Sequence, residues 1–106
     1  MSKIMVNDGS RLSIESTDDE LVVAGEIDAH SCNSLDAAIA ETGGSHIRLE
    51  LSGVTFIDSS GLRVLVDHHH RLAESGDRLA IVRPSRPVQR LLEIAGLDGQ
   101  FHIDVG

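Results

Sequence analysis

Residues 46–52 alternate strictly between apolar and polar side chains, and this pattern constrains the fold more than any other part of the chain. Ile47, Leu49 and Leu51 share one face of a predicted strand, and the charged or polar residues between them share the other. A strand with one apolar and one wetted face indicates a sheet that is covered by helices mainly on one side.

Weaker patterns along the rest of the chain predict alternating strands and helices. Turn formers separate the first two strands, which predicts an initial β-hairpin, and glycine follows each helix. The order ββαβαβαβ indicates an α/β fold with a mixed, mostly parallel sheet and helices mainly on one face. We predict strands over 11–16, 20–25, 46–52, 78–83 and 101–105, and helices over 30–42, 60–75 and 86–95.

The size and composition of the chain indicate how many domains it has and whether it contains a membrane segment or a disulfide. A length of 106 residues suits one domain, so we expect residues 1–106 to form a single domain. No apolar run approaches the roughly 20 residues that span a bilayer, and the single cysteine, Cys32, has no partner for an internal disulfide. We therefore expect a cytoplasmic protein with no membrane segment.

The charge of the chain argues against nucleic acid as a direct partner. Nine basic and seventeen acidic residues give a net charge of -8, the wrong sign for binding a phosphate backbone. The chain also lacks Trp and Tyr, on which bases would stack. Residues 1–53 carry three basic and ten acidic side chains, so this half either attracts basic partners or serves solubility.

The motif Asp58-Ser59-Ser60-Gly61 lies directly before an apolar helical stripe and is the most informative segment for function. It places two hydroxyl groups at a helix N-terminus, where free N–H groups and the helix dipole favour an added phosphate. The alternative is that one of the first three residues serves only as an ordinary N-cap.

Three segments carry a resemblance to a known family. Gly25-Glu26-Ile27-Asp28, the Asp58 motif and residues 91–97 (LLEIAGL) closely resemble the STAS domain of bacterial anti-sigma factor antagonists. The resemblance extends from about Arg11 to Ile103, with the motifs in the family's order and spacing. It implies a STAS-like domain.

The resemblance also implies roles for individual residues. Ser59 matches the serine that the partner anti-sigma factor, itself a serine kinase, phosphorylates in this family. Asp28 matches an aspartate at the partner interface. We expect a partner-binding surface made of Glu26, Asp28, Asp58, Ser59, Ser60, Gly61 and Leu62.

By the same resemblance, the function is a partner switch rather than catalysis. The unphosphorylated chain is expected to bind the anti-sigma factor and release a sigma factor, until phosphorylation breaks the complex and a serine phosphatase resets it. ATP and Mg²⁺ belong to the kinase partner, so no cofactor is expected in this chain.

Two other functions stay open: a STAS scaffold that does not switch, and a receiver-like phosphoacceptor domain. In the second, Glu26, Asp28 and Asp58 would imitate an acidic Mg²⁺ pocket. The chain has a single lysine, Lys3, outside any such context, and its initial hairpin departs from the strict βα alternation of receivers.

No metal site is predicted. His68, His69 and His70 are consecutive in a helix and point about 100° apart, so they cannot converge on one ion. His69 falls on the apolar stripe, and we expect it to be the partly buried member with the other two flanking it. Cys32 is expected to be a small packing residue.

Overall fold

Six strands and three helices make up the part of the chain that this computed structural model describes, residues 3–6, 11–44 and 46–105. Each helix predicted from the sequence is present within two residues of its expected bounds. The elements are β1 Lys3–Val6, β2 Leu12–Ser16, β3 Leu21–Ile27, α1 Cys32–Thr42, β4 His46–Ile57, α2 Ser59–Glu74, β5 Arg78–Val82, α3 Arg86–Ile94 and β6 His102–Asp104.

The strands form one mixed sheet in the order β1-β2-β3-β4-β5-β6. The pairs β1–β2 and β2–β3 are antiparallel, and the three later pairs are parallel. The predicted α/β fold with an initial hairpin is confirmed. The sequence analysis missed β1, because four residues are too few to show an alternation.

The helices cover one face of the sheet. Each helix buries an apolar stripe in a core that is continuous with one side of the strands. This arrangement confirms the prediction made from residues 46–52. The buried residues that meet in this core include Leu35 and Ile39 of α1, Leu65 and Leu72 of α2, Val88 and Leu92 of α3, and Leu49, Leu79 and Ile81 of the sheet.

The face without helices, which we call the open face, is covered by charged side chains over β5. Ala80 and Val82 point to this face and are nevertheless buried, at 4% and 0% exposure. An ion-pair network surrounds them and replaces the missing helix as their cover. It joins Arg48 to Asp104 (3.2 Å) and Glu20 (3.5 Å), and Arg83 to Glu20 (2.8 Å) and Glu50 (3.9 Å).

Strand β4 is longer than the sequence analysis predicted. The predicted strand over 46–52 ends too early, because β4 continues to Ile57 and runs directly up to Asp58. Two register shifts against β3 accompany this extension. Gly53 lies in the shifted region, where glycine permits close approach: an added Cβ would lie 2.9 Å from the Ala24 Cβ.

Candidate functional site

The carboxyl ends of β3 and β4 bring the two predicted halves of the site together. Ile27 pairs with Ile57 in parallel register at the last rung of the two strands. The Asp58 N–H then donates to the Ile27 carbonyl oxygen at 3.1 Å. Segments 26–28 and 58–62 therefore lie together at the carboxyl end of a parallel strand pair. We call the surface that these two segments form the Ser59 edge.

Asp58 is the N-cap of α2. Its backbone is extended, and its Oδ1 accepts hydrogen bonds from the Ser60 N–H at 2.9 Å and the Gly61 N–H at 3.3 Å. Its carbonyl oxygen accepts the first helical bond, from the Leu62 N–H. These bonds satisfy two of the donors that a helix start leaves free. The ordinary capping role thus belongs to Asp58 alone, and neither serine is needed for it.

Ser59 is the first residue of α2 and is exposed to solvent. Across residues 11–44 and 46–105, no group forms a hydrogen bond with its hydroxyl. Ser60, the next residue, is half-buried. The more accessible of the two hydroxyls is therefore the one that directly follows the aspartate, and a modifying enzyme can reach it without breaking an existing bond.

Gly61 and Leu62 hold the start of α2 against the sheet. A Cβ on Gly61 would lie 2.5 Å from Ile27 Cγ2 and 2.9 Å from Ile57 Cγ1, so only glycine lets the first turn approach this closely. Leu62 is half-buried and packs against the core. Gly61 and Leu62 thus fix the position of Ser59 from below, and Ser59 itself is the exposed residue of this helix start.

Asp28 organises the turn of residues 28–31 that precedes α1, whose N-cap is Ser31. Its Oδ1 accepts hydrogen bonds from the His30 N–H at 2.9 Å and the Ser31 N–H at 3.0 Å. Ser31 is buried, and its hydroxyl accepts from the Asp28 N–H at 3.0 Å and donates to the Glu26 carbonyl oxygen at 2.8 Å. Each of the two side chains thus bonds the backbone N–H of the other, which closes the turn that leads into α1.

Sequence reasoning missed Ser31. The signal was present in the spacing Asp-x-x-Ser, which lets each side chain bond the backbone N–H of the other across a turn. Besides the interface role expected for Asp28, the structure gives it a structural role in the turn before α1.

The pKa of Asp28 lies below its ordinary value of 3.8. The main cause is the hydrogen bond from the Ser31 N–H to the carboxylate; desolvation opposes the shift, and the His30 N–H and the Ser31 hydroxyl reinforce it. Asp28 therefore presents a carboxylate that stays ionised to a lower pH than an ordinary aspartate, next to Asp58 at the ends of the paired strands.

Glu26 lies at the side of this edge, paired with Arg11 at 3.0 Å. The Arg11 side chain is 82% exposed and that of Glu26 30% exposed. Gly25 makes their approach possible: its φ is +100°, and an added Cβ would lie 1.8 Å from the Arg11 carbonyl oxygen, which accepts the Glu26 N–H. In this motif, Gly25 is needed for its positive φ and for the close approach of Arg11, and Glu26 supplies a partly exposed carboxylate.

The histidine run corrects one prediction. His68, expected to flank the core, is buried at 6% exposure and joins α2 to α1. Its Nε2 lies 2.5 Å from Asp36 Oδ1, and its Nδ1 lies 2.9 Å from Arg71 Nη2. Arginine only donates, so Nδ1 accepts and the Nε2–H faces Asp36. Leu65 and Leu72, three residues before and four residues after His68, are buried on the same helix face, so the helical spacing did point to His68 and the prediction chose the neighbouring residue instead.

His69 is half-buried, as expected, and its ring lies 4.8 Å from that of Phe101. Within the described ranges, no three His, Cys, Asp or Glu side chains are grouped so that they could hold a metal ion. Cys32 is half-buried, with Sγ 3.6 Å from the Ala29 carbonyl oxygen.

A cleft of about 550 Å³ lies at the other end of the same strands, where β3 and β4 begin, between the β2–β3 turn and the α1–β4 connection. Its lining includes Asp18, Asp19 and Glu41. This lining is drawn from the opposite end of β3 and β4 from residues 26–28 and 58–62. None of the described helices has the length and apolar character that crossing a bilayer requires.

Comparison with known proteins agrees with this geometry. The family model described as "Mlab, STAS domain" matches residues 10–104. The anti-sigma F factor antagonist of Paenibacillus polymyxa is 34% identical over 79 residues, covering 71% of this chain and 68% of the relative. The anti-sigma-B factor antagonist of Staphylococcus aureus is 30% identical over 102 residues, covering 90% and 94%.

The fold also matches that of the Bacillus protein SpoIIAA, an anti-sigma factor antagonist solved in two forms. The unphosphorylated form has a TM-score of 0.68 and 22% identity, covering 87% of this chain and 86% of that one. The phosphorylated form has a TM-score of 0.64 and 21% identity, covering 87% and 89%. At this level of identity the likeness concerns the fold.

Proposed function

This chain belongs to the STAS domain family, and on that basis we propose that it is an anti-sigma factor antagonist controlled by phosphorylation of Ser59. In its unphosphorylated form it binds an anti-sigma factor that is a serine kinase, and a sigma factor is released. Phosphorylation of Ser59 breaks this complex, and a serine phosphatase restores it. The chain acts in the cytoplasm as a binding module, and the kinase supplies ATP and Mg²⁺.

One observation carries the proposal: the Ser59 hydroxyl is exposed and free at a helix start that Asp58 already caps. A kinase can therefore modify Ser59 without breaking a bond that holds the fold. The phosphate meets the positive end of the α2 dipole, so the modified protein keeps its structure.

The effect of the phosphate on binding is electrostatic. It adds about -1.5 to -2 charges next to Asp58 and across the strand pair from Asp28, whose carboxylate is held ionised. A partner surface that fits the unphosphorylated edge then faces excess negative charge and the cost of desolvating it. Loss of binding is thus local to this edge.

The first experiment identifies the modified residue. The purified chain is incubated with each anti-sigma factor kinase of its host and ATP, and the product is mapped by intact mass and peptide sequencing. We expect one phosphate on Ser59, absent from Ser59→Ala and retained in the matched control Ser60→Ala. A phosphate mapped to Ser60, or one that survives Ser59→Ala, contradicts the proposal.

The second experiment measures the switch. Ser59→Asp should lower affinity for that kinase at least about tenfold, or roughly 1.4 kcal/mol, whereas Ser59→Ala should bind like the wild type. Because aspartate carries one charge rather than nearly two, the phosphorylated wild type should bind more weakly still. Equal affinity of the phosphorylated and unphosphorylated chains would remove the switch and leave a constitutive scaffold.

Asp28 needs a conservative variant, since its carboxylate also holds the turn before α1. Asp28→Lys removes the charge and these turn hydrogen bonds together, whereas Asp28→Asn removes the charge and keeps an oxygen acceptor for the Ser31 N–H. We expect Asp28→Asn to weaken kinase binding with an unchanged circular-dichroism spectrum. Unchanged affinity in titration calorimetry would take Asp28 out of the interface.

A further inference from the structure

The chain contains two aromatic side chains besides histidine, and they differ sharply in exposure. Phe101 is buried at 7% exposure and packs against His69. Phe56 is 47% exposed, on the strand that leads directly into Asp58 and Ser59. A large apolar ring that remains half-exposed loses part of the free energy of burial, so its position next to the site calls for an explanation.

The strand register shows which way Phe56 points. Phe56 pairs with Glu26, and the next rung pairs Ile57 with Ile27, both of which lie in the core. Since successive residues of a strand point to opposite faces, Phe56 and Glu26 lie on the open face. Beyond the intervening pair Gly25–Val54, the rung toward the middle of the sheet pairs Gly53 with Ala24, so only small residues stand beside Phe56 in that direction.

The two halves of the open face differ in how their apolar side chains are covered. Over β5, the ion-pair network of Glu20, Arg48, Glu50, Arg83 and Asp104 covers Ala80 and Val82. Around Phe56, no comparable set of side chains covers the ring within the described residues. The exposure of Phe56 is therefore specific to the end of the sheet that carries Ser59.

We propose that Phe56 is an apolar anchor of the partner-binding surface, which thus extends from the start of α2 onto the open face of β3 and β4. This inference rests on the proposed function and specifies its partner. The occupant is the anti-sigma factor, and the part of it that docks here offers an apolar pocket bordered by basic side chains.

Charge complementarity supports this choice of occupant. Phe56 shares its rung with the Glu26 carboxylate and lies two residues before Asp58, and the ionised Asp28 follows on the adjacent strand. Glu26 is paired with Arg11, whereas Asp28 and Asp58 give the edge next to the ring an acidic character. An apolar ring at the margin of such an acidic edge fits a pocket with a basic rim. Aromatic residues at the centre of such contacts often contribute most of the binding energy.

The first test compares two exposed apolar residues. Ile94, at the end of α3, is 72% exposed and serves as the matched control. We expect Phe56→Ala to weaken binding to the kinase that phosphorylates Ser59 by about tenfold or more, and Ile94→Ala to change it less than twofold. Phe56→Leu should retain most of the affinity, and the thermal unfolding of each variant is recorded beside it.

The outcomes separate the inference from the proposed function. If Ser59→Asp weakens binding but Phe56→Ala, still folded, binds like the wild type, Phe56 is not an anchor and the switch stands. If Ile94→Ala weakens binding as much as Phe56→Ala, the effect is a general loss of apolar surface and the inference is wrong. If the wild type binds no anti-sigma factor kinase, both proposals are wrong.

A second test detects coverage of the ring directly. The chain contains no tryptophan, so Phe56→Trp introduces a single fluorescent reporter at this position. On addition of the same kinase, after subtraction of the kinase's own emission, we expect a blue shift for Phe56→Trp and none for Ile94→Trp. An unshifted spectrum for Phe56→Trp at saturating kinase, with tight binding retained, would show that the partner leaves this surface open.

Discussion

The turn before α1 and the start of α2 are each held by an aspartate, and they leave their serines in opposite states. In both, an aspartate Oδ1 accepts two backbone N–H groups, from residues two and three positions ahead. At α1 the serine, Ser31, is buried and both roles of its hydroxyl are used. At α2 the serine, Ser59, is exposed and its hydroxyl is free.

This difference shows what makes a serine available for switching. A helix start supplies the N–H groups and the dipole that favour a phosphate, but α1 has them too. What distinguishes Ser59 is that Asp58 alone satisfies the cap and Gly61 seats the helix, so the hydroxyl has no structural task. Each prediction below alters one of these conditions.

The largest effect is expected from closing the space at Gly61. Gly61→Ala places a methyl group 2.5 Å from Ile27 Cγ2 and 2.9 Å from Ile57 Cγ1, so these buried side chains or the start of α2 must shift. We expect a loss of about 1–3 kcal/mol in the free energy of unfolding, measured by urea denaturation. The control Gly44→Ala adds a methyl group with nothing within 4 Å and should change stability by less than about 0.5 kcal/mol. An equal loss of unfolding free energy in the two variants would mean that the absence of a side chain at Gly61 is not what lets α2 pack closely on the sheet.

The next effect separates the two serines directly. Ser31→Ala removes a buried hydroxyl and leaves the Asp28 N–H and the Glu26 carbonyl without it, so we expect a loss of about 1–2 kcal/mol. Ser59→Ala removes a hydroxyl that bonds nothing in the described structure and should stay within about 0.5 kcal/mol of the wild type. Urea denaturation of both variants tests this prediction. If Ser59→Ala lost as much unfolding free energy as Ser31→Ala, the Ser59 hydroxyl would have a structural role after all.

A smaller effect is expected from the cap itself. Asp58→Ala deletes the acceptor for the Ser60 and Gly61 N–H groups, and should cost about 1 kcal/mol. Asp58→Asn keeps an oxygen acceptor and should lose less. Amide hydrogen exchange at Ser60 and Gly61 should be faster in Asp58→Ala and near the wild-type rate in Asp58→Asn. Unchanged exchange in Asp58→Ala would mean that another group caps α2.

The smallest effect is the pH dependence at the start of α1. The pKa of Asp28 in the folded state lies below 3.8, so its ionised form stabilises the fold at higher pH, and that contribution is lost as the pH falls through the folded-state pKa. The stability difference between wild type and Asp28→Asn should therefore be constant near neutral pH and shrink below about pH 4. Denaturation curves from pH 3 to 7 test this, and a difference that grows toward acid would contradict the sign of the shift.

Local patterns in the chain were sufficient to predict its main elements and the place of its motif. Residues 46–52 predicted the one-sided sheet, and Asp58-Ser59 was placed at a helix start, because periodicity and capping act over a few neighbouring residues. The Gly25 and Gly61 positions were visible as parts of motifs. Their steric reasons depend on Arg11 and Ile27, which no local pattern could supply.

The sequence by itself therefore determined the order of the helices and of β2–β6, the acidic charge and which two serines lie at the start of α2. Only the tertiary structure decided which hydroxyl is free, that His68 pairs with Asp36 of α1, and that Phe56 faces the open side. The physical reason is that burial and hydrogen-bond satisfaction depend on segments distant in the chain, such as the parallel pairing that brings Ile27 to Asp58.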